Sequence, residues 1–166
     1  MATRYKVVLS DQDMQSVKEI VLGQQSLYKP HKDASVDIEK WTKTKLMDAG
    51  GKFAVAHHFN LPVNIGEDGR IFGPRLPSGP VLVRTMPKEW GDLILHNSDK
   101  DYRLFVLVYN KGHEFHLLGW CRGDEGKKTE YWKDPTKSGK PAYFVPQSAL
   151  RDINDLLTPV AQRSKP

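Results

Sequence analysis

Val81-Leu82-Val83-Arg84-Thr85 opens a stretch that runs to Cys121 and decides the fold. Side chains alternate along a strand, so Leu82 and Arg84 share one face. Further strands are expected at 92–96, 103–109 and 114–121. Leu104-Phe105-Val106-Leu107-Val108-Tyr109 is apolar at both parities, as a central strand covered on both sides requires. Asn110-Lys111-Gly112-His113 supplies the hairpin turn that follows it.

Upstream, residues 62–80 hold Pro62, Pro74, Pro77 and Pro80 with Gly66, Gly69, Gly73 and Gly79. That density excludes a central strand and predicts a folded-back loop, with a short hairpin around Glu67-Asp68-Gly69-Arg70. Before it, Trp41, Leu46, Ala49, Phe53 and Ala56 recur near the helical period, and the helix should end near Asn60-Leu61-Pro62. Gly50-Gly51 interrupt it, and each glycine costs about 1 kcal/mol relative to alanine in an exposed helix. The apolar phase continues through the pair, which points to close packing of this helix on another element. An earlier helix begins at Ser10, capped by its hydroxyl and favoured by Asp11 and Asp13 at the positive end of the dipole. Met14, Val17, Ile20 and Val21 give its apolar stripe, and Gly23 or Tyr28-Lys29-Pro30 ends it. Residues 29–40 read as a polar connection.

Downstream, 122–141 is a polar, lysine-rich loop and Tyr143-Phe144-Val145 a short strand. Pro146-Gln147-Ser148 should start a last helix with Leu150, Ile153 and Leu157 on one face. Helices, then strands, then a closing helix make one α/β (α+β) domain over residues 1–160, its mainly antiparallel central sheet flanked by helices. Residues 161–166 are expected to be a disordered tail.

The 166 residues suffice for a core without disulfides, and Cys121 is the only cysteine, so no intrachain disulfide forms. A reducing, cytoplasmic setting is expected. No apolar run approaches the roughly 20 residues of a membrane helix, and Val7-Val8-Leu9 is too short for a signal-peptide core. A formal charge of +5 favours acidic partners, nucleic acid first. Metal-ligand patterns are lacking: His113 and His116 fall on opposite sides of a strand, and His57-His58 diverge by about 100° on a helix. His58 is expected at the surface and His57 beside Phe53. No phosphate-binding glycine loop and no Gly-x-Ser-x-Gly elbow occurs. Lys127-Lys128-Thr129-Glu130-Tyr131-Trp132-Lys133 interleaves cations with aromatics. That pattern suits a nucleic-acid strand, or else Tyr131 and Trp132 pin the loop to the sheet.

The run Gly50-Gly51-Lys52-Phe53-Ala54-Val55-Ala56, then Asn60-Leu61-Pro62-Val63-Asn64, then Val83-Arg84-Thr85, carries a family likeness. It continues through Asp92-Leu93-Ile94-Leu95, Phe105-Val106-Leu107-Val108, Gly119-Trp120 and Tyr143-Phe144-Val145-Pro146-Gln147-Ser148-Ala149-Leu150. Over residues 42–157 the chain resembles small phage and mobile-element proteins of the PD-(D/E)XK, or restriction-endonuclease-like, nuclease superfamily. The resemblance implies a core of that type and, in active members, Mg²⁺ held by carboxylates beside a lysine. Carried over by position, the helix carboxylate falls at Lys52, the loop aspartate near Arg75, the strand glutamate at Leu82 and the lysine at Arg84. A divalent ion there would meet cations and no anionic ligand.

The expectation is therefore a DNA-associated pseudoenzyme that needs no cofactor. Lys52, Arg75 and Arg84, with Lys127 and Lys128, would contact phosphates. The alternative role for Arg84 is an ion pair with Asp92 or Glu89 and nothing more. Two further readings stand beside it. One is an active Mg²⁺-dependent DNA nuclease using Asp68, Asp92 and Arg84 with a relocated ligand; the other is a protein-binding accessory or inhibitor that keeps only the scaffold.

Overall fold

Strand β7 (Leu104–Lys111) is the axis of the molecule, and Leu104 to Val108 are buried on both of its faces. The structure, a computed structural model, describes residues 2–24, 34–67 and 69–158, with only the backbone for 34–37. Elements follow in the order β1 (Tyr5–Val8), α1 (Asp11–Gly23), α2 (Ala34–His58), β2 (Asn64–Ile65), β3 (Ile71–Phe72), β4 (Arg75–Leu76) and β5 (Gly79–Met86). Then come β6 (Leu93–Leu95), β7, β8 (Glu114–Arg122), α3 (Gly123–Gly126), β9 (Trp132–Lys133) and β10 (Ala142–Val145). The main sheet has five strands in the order β1-β8-β7-β5-β4, all neighbours antiparallel except the parallel pair β5 and β7. A three-stranded sheet, β6-β10-β9, and the β2–β3 hairpin complete the strands.

The two parities of β7 feed two cores. Val106 and Val108 join Val81, Val83, Phe115 and Leu117 under α1 and α2. Phe105 and Leu107 join Leu118 and Cys121 beneath Leu93, Leu95 and Val145 of the small sheet. The chain is thus a mixed α/β fold in three layers: helices, main sheet, small sheet. The hydrophobic effect at ~25 cal/mol per Å² of buried apolar surface explains why a both-parity apolar strand seeks this middle position.

Helix α2 reaches the sheet at the two glycines. A Cβ at Gly51 would lie 1.9 Å from Thr85 Oγ1, and one at Gly50 would lie 2.5 Å from Phe115 Cζ. The expected close packing is present, and its partners are β5 and β8. The Ser10 cap is also present, its Oγ accepting from Asp13 N–H at 3.0 Å, and α1 ends at Gly23.

Several expectations need correction. Residues 34–40, read as connection, belong to α2 and form about its first two turns. Tyr5–Val8 forms an edge strand on β8. The lysine-rich loop contains α3, a 3₁₀ turn at Thr129–Tyr131 and β9.

The closing helix is instead two 3₁₀ turns, Gln147–Ala149 and Ile153–Leu157. Between them Arg151 pairs with Trp120, N–H to O at 2.8 Å and 3.0 Å in the two directions. This crossing requires Gly119, whose φ is +149° and whose missing Cβ would lie 2.7 Å from Leu150 Cβ. Leu156 rather than Leu157 is buried as a result. Trp120 Nε1 donates to Asp152 O at 2.9 Å, and Ser78 Oγ donates to Leu156 O at 2.7 Å, which fix the segment. The expected tail, 161–166, lies outside the described residues.

Gly51→Ala should lower stability by about 1–3 kcal/mol through overpacking against Thr85, despite its better helix propensity. Gly23→Ala, where nothing lies within 4 Å of the new Cβ, should be neutral or slightly stabilising. Urea midpoints of the two variants check the contrast.

Candidate functional site

The packing of Gly51 against Thr85 places the next residue, Lys52, at the border of the sheet. There β5 is covered by β4 only at Gly79 and Pro80, so from Leu82 onward its outer edge is open among the described residues. An open cleft of about 220 Å³ wraps this edge, lined by Asp48, Lys52, Ile71, Phe72, Gly73, Leu82, Val83 and Arg84. A second cleft, of about 180 Å³, shares Asp48, Lys52, Ile71 and Phe72 and adds Lys45, Arg70 and Gln24. The two form one groove between α2 and the β3–β5 side of the sheet.

Leu82 and Arg84 face away from the helix core, as strand alternation requires, and Arg84 lies over the Phe105 ring at 5.1 Å. Lys52 therefore meets them across the strand edge and not on a common face. The transferred positions Lys52, Leu82 and Arg84 converge; Arg75 does not, being exposed on β4. Asp92 precedes β6 and lines neither cleft. Asp68 lies outside the described residues. Among the described residues no three His, Cys, Asp or Glu side chains converge as metal ligands. Among the described residues the groove's donor set does not fit Mg²⁺: one carboxylate, Asp48, stands with four cations, and it is already engaged by Lys52.

Each inner cation has a protein partner. Lys52 Nζ donates to Ile71 O at 3.0 Å and lies 3.3 Å from Asp48 Oδ2. Arg84 pairs with Asp99, Nη2 to Oδ1 at 2.7 Å, and Nη1 donates to Ile94 O at 3.3 Å. The alternative of an Arg84 ion pair is realised, but with Asp99 in place of Asp92 or Glu89; Glu89 pairs with Arg4 instead. Burial alone would raise the Asp99 carboxyl. The His96 N–H and the Arg84 guanidinium more than offset this and hold it below the ordinary carboxylate value.

Lys127 has a structural position. Its ammonium donates to Asn97 O at 3.2 Å, to Asp99 O, and to Asp101 Oδ1 at 2.9 Å, and its side chain is only 13% exposed. It clamps the 96–101 turn that carries Asp99. Lys128 beside it is exposed. Tyr131 packs on the small-sheet core and Trp132 contacts Tyr143, ring centroids 4.7 Å apart, so the aromatics of this loop pin it to the sheet.

Cys121 is buried, and burial with the nearby Glu125 carboxylate pushes its thiol up to about 12, so it is no nucleophile. His57 is exposed, whereas His58 is half-buried, with Nε2 2.9 Å from Asn154 Oδ1 and its ring 4.8 Å from that of Tyr5. The expected roles of the two are reversed because the C-terminal turn packs against β1 there.

Lys45 and Arg70 are groove residues the sequence reading overlooked. Lys45 lies about two helical turns before Lys52 on the same flank of α2, a spacing of seven that was legible. Arg70 was hidden by the turn signal around it. With this geometry in hand, comparison of the chain with protein-family models, with curated proteins and with solved structures finds no match in any of the three.

Lys127→Met should destabilise the protein by about 1–3 kcal/mol through the lost charge-assisted hydrogen bonds, with faster amide exchange over 97–101. Lys128→Ala should stay within about 0.5 kcal/mol of the parent. The stabilising effect of Asp99 should be full above its unfolded value, ~3.9, and be lost as pH falls through its lower folded value. Urea titrations should therefore show the gap between the parent and Asp99→Asn closing only below about pH 4.

Proposed function

We propose that the protein binds nucleic acid, DNA in the first instance, through the groove between α2 and the free edge of β5, and does so without metal-dependent cutting. The observation that carries this reading is the set Lys45, Lys52, Arg70 and Arg84 along one continuous groove in which, among the described residues, Asp48 is the one lining carboxylate. Such an excess attracts a polyanion, and phosphate oxygens accept hydrogen bonds from lysine and arginine without a metal.

Convergence of Lys52, Leu82 and Arg84 supports a restriction-endonuclease-like core, since the PD-(D/E)XK resemblance requires those three positions to meet. In that reading the carboxylates of an ancestral metal cage have given way to cations and an apolar side chain. The groove retains affinity for the phosphate backbone and lacks the means to activate water. Lys52 and Arg84 already hold protein partners, so phosphate binding exchanges one set of charge-assisted bonds for another. Lys45 and Arg70 line the same groove and add to its positive charge. The clamped Lys127 positions the turn opposite Arg84 and takes no part in binding.

Three to four phosphate contacts give a slope of log affinity against log salt of about −2 to −4. Lys45→Ala and Arg70→Ala should each flatten that slope by about one unit, while Lys137→Ala, on the β9–β10 loop, should leave it unchanged. DNA incubated with the protein in Mg²⁺ or Mn²⁺ should stay intact. Fluorescence anisotropy over a salt series and a gel assay make the measurements. Cutting that disappears in Asp68→Ala would replace this reading with the metal-dependent nuclease. Absence of binding at low salt would leave the scaffold as a protein-binding accessory.

A further inference from the structure

The edge of β5 offers the groove more than charge. Val81 N–H donates to Pro74 O at 3.2 Å, on the side away from β7. Backbone polar groups alternate sides along a strand, so Val83 and Thr85 direct their N–H and C=O groups the same way. Since β4 pairs only with Gly79 and Pro80, no strand among the described residues takes up those groups. Each is a full-strength donor or acceptor. Val83 lines the larger cleft; it is only 5% exposed, and by strand alternation its outward backbone edge borders that cleft.

Phe72 lines both clefts and is 50% exposed, whereas its neighbour Ile71 is buried in the core. The β2–β3 hairpin, with Phe72 opposite Asn64, holds the ring at the join of the clefts. Lys45, Lys52 and Arg70 line one of the clefts it joins, and Lys52 and Arg84 line the other. An exposed aromatic face between cations, beside a free donor–acceptor pair, matches three features of one chemical class. A nucleotide in an unpaired strand has a flat base, a polar base rim and a phosphate on either side.

We infer that the groove takes single-stranded nucleic acid, with one unpaired base stacked on Phe72, its rim hydrogen-bonded to the Val83 edge, and the flanking phosphates on the cations of the two clefts. This rests on the nucleic-acid reading of the groove and names its substrate class. A base inside a duplex has both faces stacked and its pairing edge occupied, and removing it requires unstacking. The cations line a recess, whereas reading a major groove requires a protruding helix or ribbon. An acidic extended peptide would use the strand edge and the cations but has no use for the exposed ring. The single strand uses all three.

The test measures anisotropy at low salt with the full-length chain and four probes. These are a labelled short oligothymidylate, the same length of abasic strand, a duplex, and polyglutamate of equal charge. The oligothymidylate should bind at least about fivefold tighter than the abasic strand, since stacking alone carries that much. Phe72→Leu should erase this preference while leaving the abasic strand, duplex and polyglutamate within about twofold, and Phe72→Trp should keep it. The abasic comparison uses the parent protein, so it stands even if Phe72→Leu folds poorly. Equal affinity for abasic and natural strands, or a preference that survives Phe72→Leu, overturns the base contact while the groove reading stands. Binding of polyglutamate with no binding of any nucleic acid overturns both and makes an acidic protein the partner.

Discussion

Contact between the backbone of α2 at Gly50-Gly51 and the side chains of Thr85 and Phe115 sets the geometry on which the rest of the molecule depends. With any side chain at Gly51 the helix would stand off the sheet, because a Cβ there meets Thr85 Oγ1 well inside van der Waals distance. Drawn in, α2 closes over Val81, Val83, Val106 and Val108 and completes the helix-side core. Lys52 follows directly in the chain, and with Asp48 one turn earlier it is brought to the border of β5. The groove is therefore a by-product of how tightly the helix packs. It forms where the helix overhangs a strand whose outer neighbour stops after two residues.

The electrostatics of the groove follow from the same placement. Lys52 and Arg84 approach from opposite faces of one strand edge, and each is held by a carboxylate of its own side, Asp48 and Asp99. Two cations close to one another are tolerated because each is locally paired. Asp99 in turn is presented by a turn that Lys127 clamps from beneath. The lysine looked like a nucleic-acid ligand because of its basic, aromatic surroundings. Its actual partners are the carbonyls of Asn97 and Asp99 and the Asp101 carboxylate, which no local sequence pattern announces.

Much of the fold was legible in order. The both-parity apolar run of β7, the hairpin turn after it and the phase of α2 through its glycines each have a one-dimensional signature. The failures share a cause. Tyr5–Val8 is short and becomes a strand only because β8 offers it an edge. Leu150, Ile153 and Leu157 have helical spacing, yet the chain there threads past Gly119 and ties to Trp120, so non-local bonds override the period. His57 and His58 exchanged roles because the contact that chooses between them comes from Tyr5 and Asn154, far away in the chain.

By itself the sequence determined the class of fold, the middle position of β7, the close approach of α2 and the common face of Leu82 and Arg84. All of these rest on local periodicity, steric size or residue charge, which the chain carries wherever it is placed. Tertiary structure alone decided that Lys52 and Arg84 meet across an open strand edge, that Arg70 and Phe72 join them, and that Arg75, Asp92 and Lys127 do not. Those outcomes depend on which strand ends first and which element overhangs it. That is a property of distances between residues remote in the chain, and no spacing along the sequence encodes it.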